Sequence, residues 1–445
     1  MSGKPDTPMD QASGDAVAPV PPFAEAFAAF ARIGFLSFGG PAGQIALMHR
    51  VLVDEKKWLG ERQYLTALNF CMLLPGPEAM QLATYAGWRL HGVAGGLMAG
   101  LLFVLPGAAL ILLLALLYLW YGATPLVATL FTGVKAAVVV IVVEALLRVS
   151  RRALKGRLDW AIAAAAFVAL FVFAVPFPLV IAAAGLIGYA AHADPGGAGA
   201  KVALPVTAPV AMGATLRTVL LWSAIWLVPL IAITVALGSG HVLSQLAWFF
   251  SKLAVVTFGG AYAVLAYMAQ EVVQRFGWLT AGEMLDALGL AETTPGPLIL
   301  VTELVGALAA GRAGGGVDAW MAVAGAVVTL WATFAPCFLW IFAGAPYIER
   351  LGAMPRLRAA LAGVTAAVVG VILNLTVWFA LHVLFARLVP VNAGPVRMSL
   401  PDITSLDVRT LALTAVAALM LLVWHRSLAL TLAASAVLAL LLAQV

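Results

Sequence analysis

The sequence predicts an all-α integral membrane protein with about thirteen transmembrane helices, arranged as two homologous halves that contain broken helices. Three observations support this prediction. Of the 445 residues, 63% are hydrophobic and only 10% are charged, whereas a soluble domain is nearer a quarter charged. The apolar runs are continuous, which excludes the alternating strands of a membrane barrel. Three short motifs recur at one fixed spacing, which indicates an internal duplication.

The composition also excludes several functional classes. So few charged residues cannot cover the surface of a soluble enzyme or of a nucleic-acid-binding domain. The formal charge of +5 says little about partners, because Lys and Arg mostly mark cytoplasmic loops in membrane proteins. The chain has no P-loop and no metal-ligand spacing, so we expect no cofactor, no metal and no enzymatic activity. Cys71 and Cys337 lie inside apolar stretches and are interpreted as small buried residues.

The hydropathic runs define the elements in order. Residues 1–22 are polar and lack a signal-peptide pattern, so we expect a disordered cytoplasmic tail. Residues 23–190 are predicted to form the first transporter repeat, and 243–445 the second. Between them, 191–215 is a Gly-, Pro- and Ala-rich linker and 216–242 an extra connecting helix. The predicted spans are 23–49, 64–90, 93–120, 126–147, 160–189 (interpreted as two short spans), 216–237, 243–270, 283–310, 318–343, 359–387, 408–424 and 428–442.

The duplication is visible in short motifs without any gap between them. After an insertion near Gly314, the match resumes with Pro106 on Pro336. If residues 160–189 form two spans, an odd number of spans separates equivalent positions of the two repeats. The two halves are then predicted to be inverted relative to each other. With one span there, the argument fails. The recurring motifs, 220 residues apart, are Ser37-Phe38-Gly39-Gly40 with Thr257-Phe258-Gly259-Gly260, Trp58-Leu59 with Trp278-Leu279, and Pro75-Gly76-Pro77 with Pro295-Gly296-Pro297.

Inverted repeats with broken helices are typical of secondary transporters. Each Pro-Gly-Pro starts a half-helix whose N-terminus carries the positive end of the helix dipole, which suits an anion. The alternative is that these breaks are kinks for tight packing. Basic residues inside spans are further candidate anion ligands, although they could instead extend to the membrane interface. The predicted substrate-binding residues are the two Phe-Gly-Gly motifs with Ser37 and Thr257, both Pro-Gly-Pro motifs, Thr294, Arg32, Lys135 and Lys252.

Carboxylates near the breaks are candidates for proton coupling. Glu78 directly follows the first Pro-Gly-Pro, and Gln81 shares its helix face. Glu292 precedes the second break and is a weaker candidate. The alternative role for Glu78 is a helix-capping carboxylate. Glu144 and Arg148 are four residues apart and are predicted to form a structural ion pair.

The motif Phe35–Pro41, followed by Trp58 and then by Pro75–Pro77, resembles the chromate ion transporter family. The second copy of these motifs resembles the second domain of that family's long, two-domain members. The resemblance implies export of chromate across the bacterial inner membrane, driven by the proton-motive force, and hence chromate resistance. The second copy departs from the pattern because Ala261 replaces Pro41.

Other functions remain open at this point. Chromate and sulfate are both tetrahedral dianions, and no pattern used here separates them. A passive anion channel of the same architecture is a further alternative. A membrane enzyme or sensor would need a polar catalytic cluster or a signalling domain, and the sequence contains neither. We expect a multi-pass protein with a cytoplasmic N-terminus and no nucleic-acid partner, and whether it forms a homodimer stays open.

Overall fold

The computed structural model describes residues 19–191, 212–256, 258, 261–348 and 354–444. Within these ranges the chain is almost entirely helical, as predicted. Five helices are long and apolar enough to cross a membrane, and several shorter apolar helices accompany them. The chain is therefore a multi-pass membrane protein. The five long spans are Glu78–Tyr121, Pro125–Ala153, Met212–Leu237, Ala319–Tyr347 and Arg356–Leu384.

The first part of the chain contains both predicted breaks. A break at residues 37–39 separates α1 from α2, and a second break at Pro75–Pro77 separates α3 from α4. The long α4 is kinked at His91 and Gly92, whose backbone is not helical, so it comprises two helical stretches as predicted. The helices are α1 (Phe23–Leu36), α2 (Gly40–His49) with a π-helical extension (Arg50–Glu55), α3 (Glu61–Cys71), α4 (Glu78–Tyr121) and α5 (Pro125–Ala153).

The same order of elements recurs later in the chain. Even the local hydrogen bonds match, because the Trp58 amide donates to the Leu52 carbonyl at 2.9 Å and the Trp278 amide donates to the Val272 carbonyl at 3.0 Å. The corresponding elements are α9 (Val242–Val256), α10 (Ala261–Gln270) with a π-helical extension (Glu271–Arg275), α11 (Ala281–Thr293), a short 3-10 turn (Leu298–Leu300), α12 (Val301–Arg312), α13 (Ala319–Gly344) and α14 (Pro355–Leu384).

The apolar run at 160–189 forms two helices, α6 (Arg157–Phe171) and α7 (Phe177–Ala191). The chain turns between them at Ala174, whose φ of 50° interrupts the helix before Pro176. Two separate helices therefore occupy this run, and that each of them forms a membrane span remains a prediction. The remaining helices are α8 (Met212–Leu237), which packs on α13, and the C-terminal α15 (Val408–Ala418) and α16 (Leu428–Leu442).

Helices α5 and α14, which are equivalent in the repeat, each pack against a pair of helices from the other half of the chain. Helices α6 and α7 pack on α14, whereas α15 and α16 pack on α5. Two glycines allow the closest approaches. Gly363 of α14 lies against the Ala184 carbonyl, and Gly133 of α5 lies against the Ser435 carbonyl. A side chain at either glycine would collide with backbone, so these two contacts require glycine.

The sequence did not predict a β-hairpin, and the structure has one between α14 and α15. Strands β1 (Leu388–Ala393) and β2 (Val396–Pro401) pair antiparallel around a turn at Gly394, whose φ is 61°. The Arg397 amide donates to the Val172 carbonyl at 2.8 Å, which fixes the hairpin to the α6–α7 turn. Hydrogen bonds from the Thr404 hydroxyl and amide hold the pKa of Asp402, at the hairpin's end, below its usual range.

Candidate functional site

A cavity of about 350 Å³ lies where the breaks of the first half meet the end of α5. Its innermost lining includes the buried residues Cys71 and Gly76. Its rim includes Arg152 and Lys155, which are exposed. We call this the basic cavity. It extends from a positively charged, water-accessible rim to the backbone of a broken helix, which is the arrangement expected of an anion-binding site.

Two helix N-termini border the basic cavity. Helix α2 begins at Gly40, and its next two residues, Pro41 and Ala42, line the cavity. Helix α4 begins at Glu78, which also lines it. The first amides of a helix have no partners within the helix and carry the positive end of its dipole. The N-terminal turns that follow both breaks of the first half therefore border the same space.

The formal charges around the basic cavity are not balanced. Arg148 is bonded to Glu144 one helical turn earlier, which confirms the predicted pair. Arg152 donates a weak hydrogen bond to the Met72 sulfur, at 3.8 Å. Among the described residues, no carboxylate lies within ion-pair distance of Arg152 or Lys155, so both charges can attract a soluble anion.

A tyrosine connects the basic cavity to a second carboxylate. Tyr262, just after the start of α10, lines the cavity and donates its hydroxyl to Glu292 Oε1 at 2.7 Å. Glu292 is buried, so it lies one hydrogen bond behind the cavity wall. The predicted coupling residues Glu78 and Glu292 are thus on the same cavity, the first directly and the second through Tyr262.

The breaks of the two halves bond to each other beside this site. The Gly296 amide donates to the Ser37 carbonyl at 2.8 Å. The Gln44 side-chain amide donates to the Gly296 carbonyl at 2.6 Å and lies 3.3 Å from the Ser37 carbonyl. Gly76 and Gly296 have φ values of 117° and 90°, which an L side chain rarely adopts. The unwound backbone is therefore satisfied by the other half, as membrane depth requires.

The three basic residues predicted as ligands lie away from the basic cavity. Arg32 is half exposed and pairs with Glu55 at 3.1 Å. Lys252 is exposed, with its ammonium 5.6 Å from the centre of the Tyr267 ring. Lys135 lies 3.4 Å from Asp286 Oδ2, which also accepts the Tyr118 hydroxyl at 2.7 Å. Their predicted role in binding remains a prediction.

The predicted hydroxyl ligands are already bonded to backbone. Ser37 donates to the Ile33 carbonyl at 2.6 Å, and Thr294 donates to the Ala291 carbonyl at 2.9 Å. The Gln81 amide donates to the Pro75 carbonyl at 2.7 Å, so it holds the first break in place. Pro295, Gly296 and Pro297 are buried, and Phe38 is half exposed. The predicted residues Thr257, Gly259 and Gly260 lie outside the described residues.

Sequence reasoning missed the groups that give this cavity its charge. Arg152 and Lys155 belong to a basic run that we interpreted only as a sign of a cytoplasmic loop. Tyr262 had no signal at all. The signal that could have found the arginine is helical periodicity, because Arg148 and Arg152 lie one turn apart on one face of α5. No cluster of His, Cys, Asp or Glu suitable for a metal occurs in the part of the chain that the structure describes.

A multi-pass helical bundle with broken helices and a charged cavity defines a membrane transport protein rather than an enzyme. Comparison with known proteins identifies the kind. The family model described as "Chromate transporter" matches residues 24–189 and 244–440. The chain therefore belongs to the chromate transporter family, as its motifs implied.

Three relatives illustrate the similarity. A chromate transport protein of Pseudomonas aeruginosa is 34% identical over 369 residues, covering 81% of this chain and 82% of that protein. A chromate transport protein of Cupriavidus metallidurans is 31% identical over 349 residues, covering 77% and 79%. An uncharacterised transporter of Methanocaldococcus jannaschii is 26% identical over 361 residues, covering 80% and 84%. No solved structure matches the chain.

Proposed function

We propose that this protein exports chromate across the bacterial inner membrane, driven by the proton-motive force, and so confers chromate resistance. Family membership and the names of its relatives support chromate as the substrate. The observation on which the proposal rests most is the basic cavity, where Arg152 and Lys155 have no carboxylate within ion-pair distance among the described residues. A tetrahedral dianion there would be held by these cations and by the amides at the starts of α2 and α4.

We further propose that the two halves are inverted. The Leu154–Gly156 loop has only three residues, which favours an antiparallel arrangement of α5 and α6. Helix α6 runs parallel to α14, because Ala163 contacts Gly370, and Leu170 and Leu375, further along each helix, line the same cavity. Helices α5 and α14, which are equivalent in the repeat, therefore run in opposite directions. A two-fold axis relating antiparallel helices is perpendicular to both, and hence lies in the membrane plane.

The proposed orientation follows from charge. The basic run at the end of α5 should face the cytoplasm by the positive-inside rule, which also places the N-terminus there. The basic cavity then opens toward the compartment from which chromate is removed. Labelling of cysteines introduced at Gly60 and Thr280, in a chain with Cys71→Ser and Cys337→Ser, should find these equivalent positions on opposite sides of the membrane. Labelling of both from one side would contradict the inverted arrangement.

Glu78 and Glu292 are the proposed coupling groups, with Gln81 supporting the first. A dianion in the cavity would be repelled by an ionised Glu78, so anion binding and protonation of Glu78 favour one another. This direction of coupling suits a transporter that binds the anion and the proton together, rather than one in which the anion and the proton compete. Export of chromate against its concentration gradient is compatible with co-binding of a proton only if charge movement across the membrane supplies the driving force.

The experiment is chromate and sulfate uptake into everted membrane vesicles, with and without an uncoupler. The proposal expects chromate uptake that the uncoupler abolishes. Arg152→Gln combined with Lys155→Gln should reduce the rate at low chromate by about tenfold or more, because two charge-assisted contacts are lost. Arg151→Gln is the matched control, since Arg151 is adjacent and exposed but does not line the cavity. Uptake of sulfate alone would assign a different substrate, and uptake insensitive to the uncoupler would contradict coupling to the proton-motive force.

A further inference from the structure

A second cavity, also of about 350 Å³, lies at the C-terminal end of α14. The turn between α6 and α7, helix α10 and the β-hairpin contribute the rest of its wall. We call it the hairpin cavity. In contrast to the basic cavity, its polar lining is mostly uncharged. Apart from the Trp378 indole, the polar side chains are Gln270, Gln274, Asn374, His382, Asn392, Arg397 and Ser399.

The two cavities occupy equivalent faces of equivalent helices. In the repeat, α5 corresponds to α14 at an offset of 230 residues. The basic cavity uses Ala145, Arg148 and Arg152 of α5. The hairpin cavity uses Leu375, Trp378 and His382, which are the matching positions of α14. If the halves are inverted, equivalent faces of α5 and α14 open toward opposite sides of the membrane.

The chemistry of the two faces differs. Where the basic cavity has the guanidinium of Arg148, the hairpin cavity has the indole of Trp378. Where the basic cavity has the guanidinium of Arg152, the hairpin cavity has the imidazole of His382. His382 Nδ1 lies 2.8 Å from the Trp378 carbonyl, which can only accept, so Nδ1 donates and the neutral ring has no N–H left at Nε2. The remaining donors are side-chain amides, the Ser399 hydroxyl and the guanidinium of Arg397.

The hairpin supplies three of these donors, Asn392, Arg397 and Ser399, and it has no counterpart in the first half. There, α5 and α6 are joined by the short Leu154–Gly156 loop, whereas the chain between α14 and α15 includes both strands. The bond from the Arg397 amide to the Val172 carbonyl holds this insertion over the cavity. The one formal charge on the polar lining thus comes from a segment added to the second half alone.

We infer that the hairpin cavity is a second binding site for a small tetrahedral oxyanion, on the membrane face opposite the basic cavity and with lower affinity. Amide and hydroxyl donors satisfy the oxygens of a tetrahedral anion but exert little long-range attraction, so they hold it weakly and release it readily. This inference rests on the proposed function. It assigns capture of chromate to the membrane face with the basic cavity (the basic face) and release of chromate to the face with the hairpin cavity (the hairpin face).

The test compares transport from the two faces. Initial rates of chromate uptake are measured in everted and in right-side-out vesicles of the full chain, which gives a KM for each face. The KM at the hairpin face should be the higher. Arg397→Gln and Asn374→Ala should each raise it by about tenfold and leave the KM at the basic face unchanged. Arg409→Gln is the matched control, because Arg409 is exposed nearby and lies outside the cavity.

A gain-of-function variant keeps the test independent of folding losses. Trp378→Arg combined with His382→Arg installs the charges of the basic cavity and should lower the KM at the hairpin face by about tenfold. An unchanged KM at the hairpin face in all three variants, with chromate transport intact, would overturn the second site. Absence of chromate transport from either face in the wild-type chain would instead overturn the proposed function, and the second site with it.

Discussion

In the first half the Pro-Gly-Pro break is followed by a polar helical turn, and in the second half by an apolar one. Glu78 and Gln81 follow the first break. Leu298 and Val301 occupy the matching positions after the second and are fully buried. The backbone is nonetheless alike, with Gly76 and Gly296 both at positive φ. Glycine and proline therefore fix the break in each half, whereas only the first half has a carboxylate directly after Pro-Gly-Pro, where the second half has Leu298.

A second contrast concerns α5 and α11, which contact each other across the two halves. Lys135 pairs with Asp286 at this contact. The matching positions in the repeat are Thr365 and Thr66, so the equivalent place has no charge. The ion pair therefore occurs at the contact of α5 with α11 and not at the equivalent positions of the repeat. Because both equivalent positions are threonine, we use threonine as the replacement that tests the role of the pair.

The largest effect should come from breaking this pair on one side. Lys135→Thr would leave Asp286, which is 5% exposed, without its cation and should lower the free energy of unfolding by about 3 kcal/mol. Lys135→Thr combined with Asp286→Thr reproduces the uncharged arrangement and should recover most of that loss. Apparent melting temperatures of the purified variants in detergent measure both effects. A double variant as unstable as the single one would show that charge compensation is not the reason for the pair.

The next effect concerns proton coupling at the first break. Glu78→Gln keeps the size of the side chain but removes its proton exchange, so chromate flux should lose most of its dependence on pH. Leu298→Gln, at the matching position of the second half, should leave that dependence intact. Flux measured in vesicles between pH 6 and pH 8 provides the comparison. An unchanged pH response in Glu78→Gln would remove Glu78 from the coupling step.

The smallest effect should come from Gln81. Its amide donates to the Pro75 carbonyl, but its own carbonyl oxygen is buried without a partner among the described atoms. Gln81→Leu removes both groups together, so we expect a loss of only about 1 kcal/mol in stability. Val301→Leu is the control at the matching apolar position. A loss as large as that of Lys135→Thr would mean that Gln81 does more than hold the first break.

The sequence predicted the breaks because glycine and proline act locally. The motifs at residues 37–41 and 75–77 combine glycine with proline, and the folded chain breaks at 37–39 and at 75–77. The β-hairpin was missed because strands β1 and β2 are short and lie in a polar stretch between apolar helices. Their pairing depends on anchoring at Val172, which is distant in the sequence.

The candidate site was predicted only in part, for a related reason. Arg32 has the sequence pattern of a ligand, but Glu55, 23 residues away, lies within ion-pair distance of it in the fold. Arg152 has the pattern of a cytoplasmic loop and instead lines the cavity. Which basic residue keeps a free charge depends on contacts between elements, and one sequence does not reveal these contacts. The backbone part of the site, Gly76 and Glu78, was predictable because it depends on the break itself.

The central claim is that the basic cavity binds the oxyanion. Equilibrium dialysis of radiolabelled chromate against the purified protein, with Cys71→Ser and Cys337→Ser to prevent thiol oxidation, measures Kd directly. Arg152→Gln should raise Kd by about tenfold, since one charge-assisted contact is lost, whereas Arg151→Gln should leave it unchanged. A Kd that is unaffected by Arg152→Gln but raised by Arg32→Gln would contradict the claim and place the anion beside Arg32 on α1 instead.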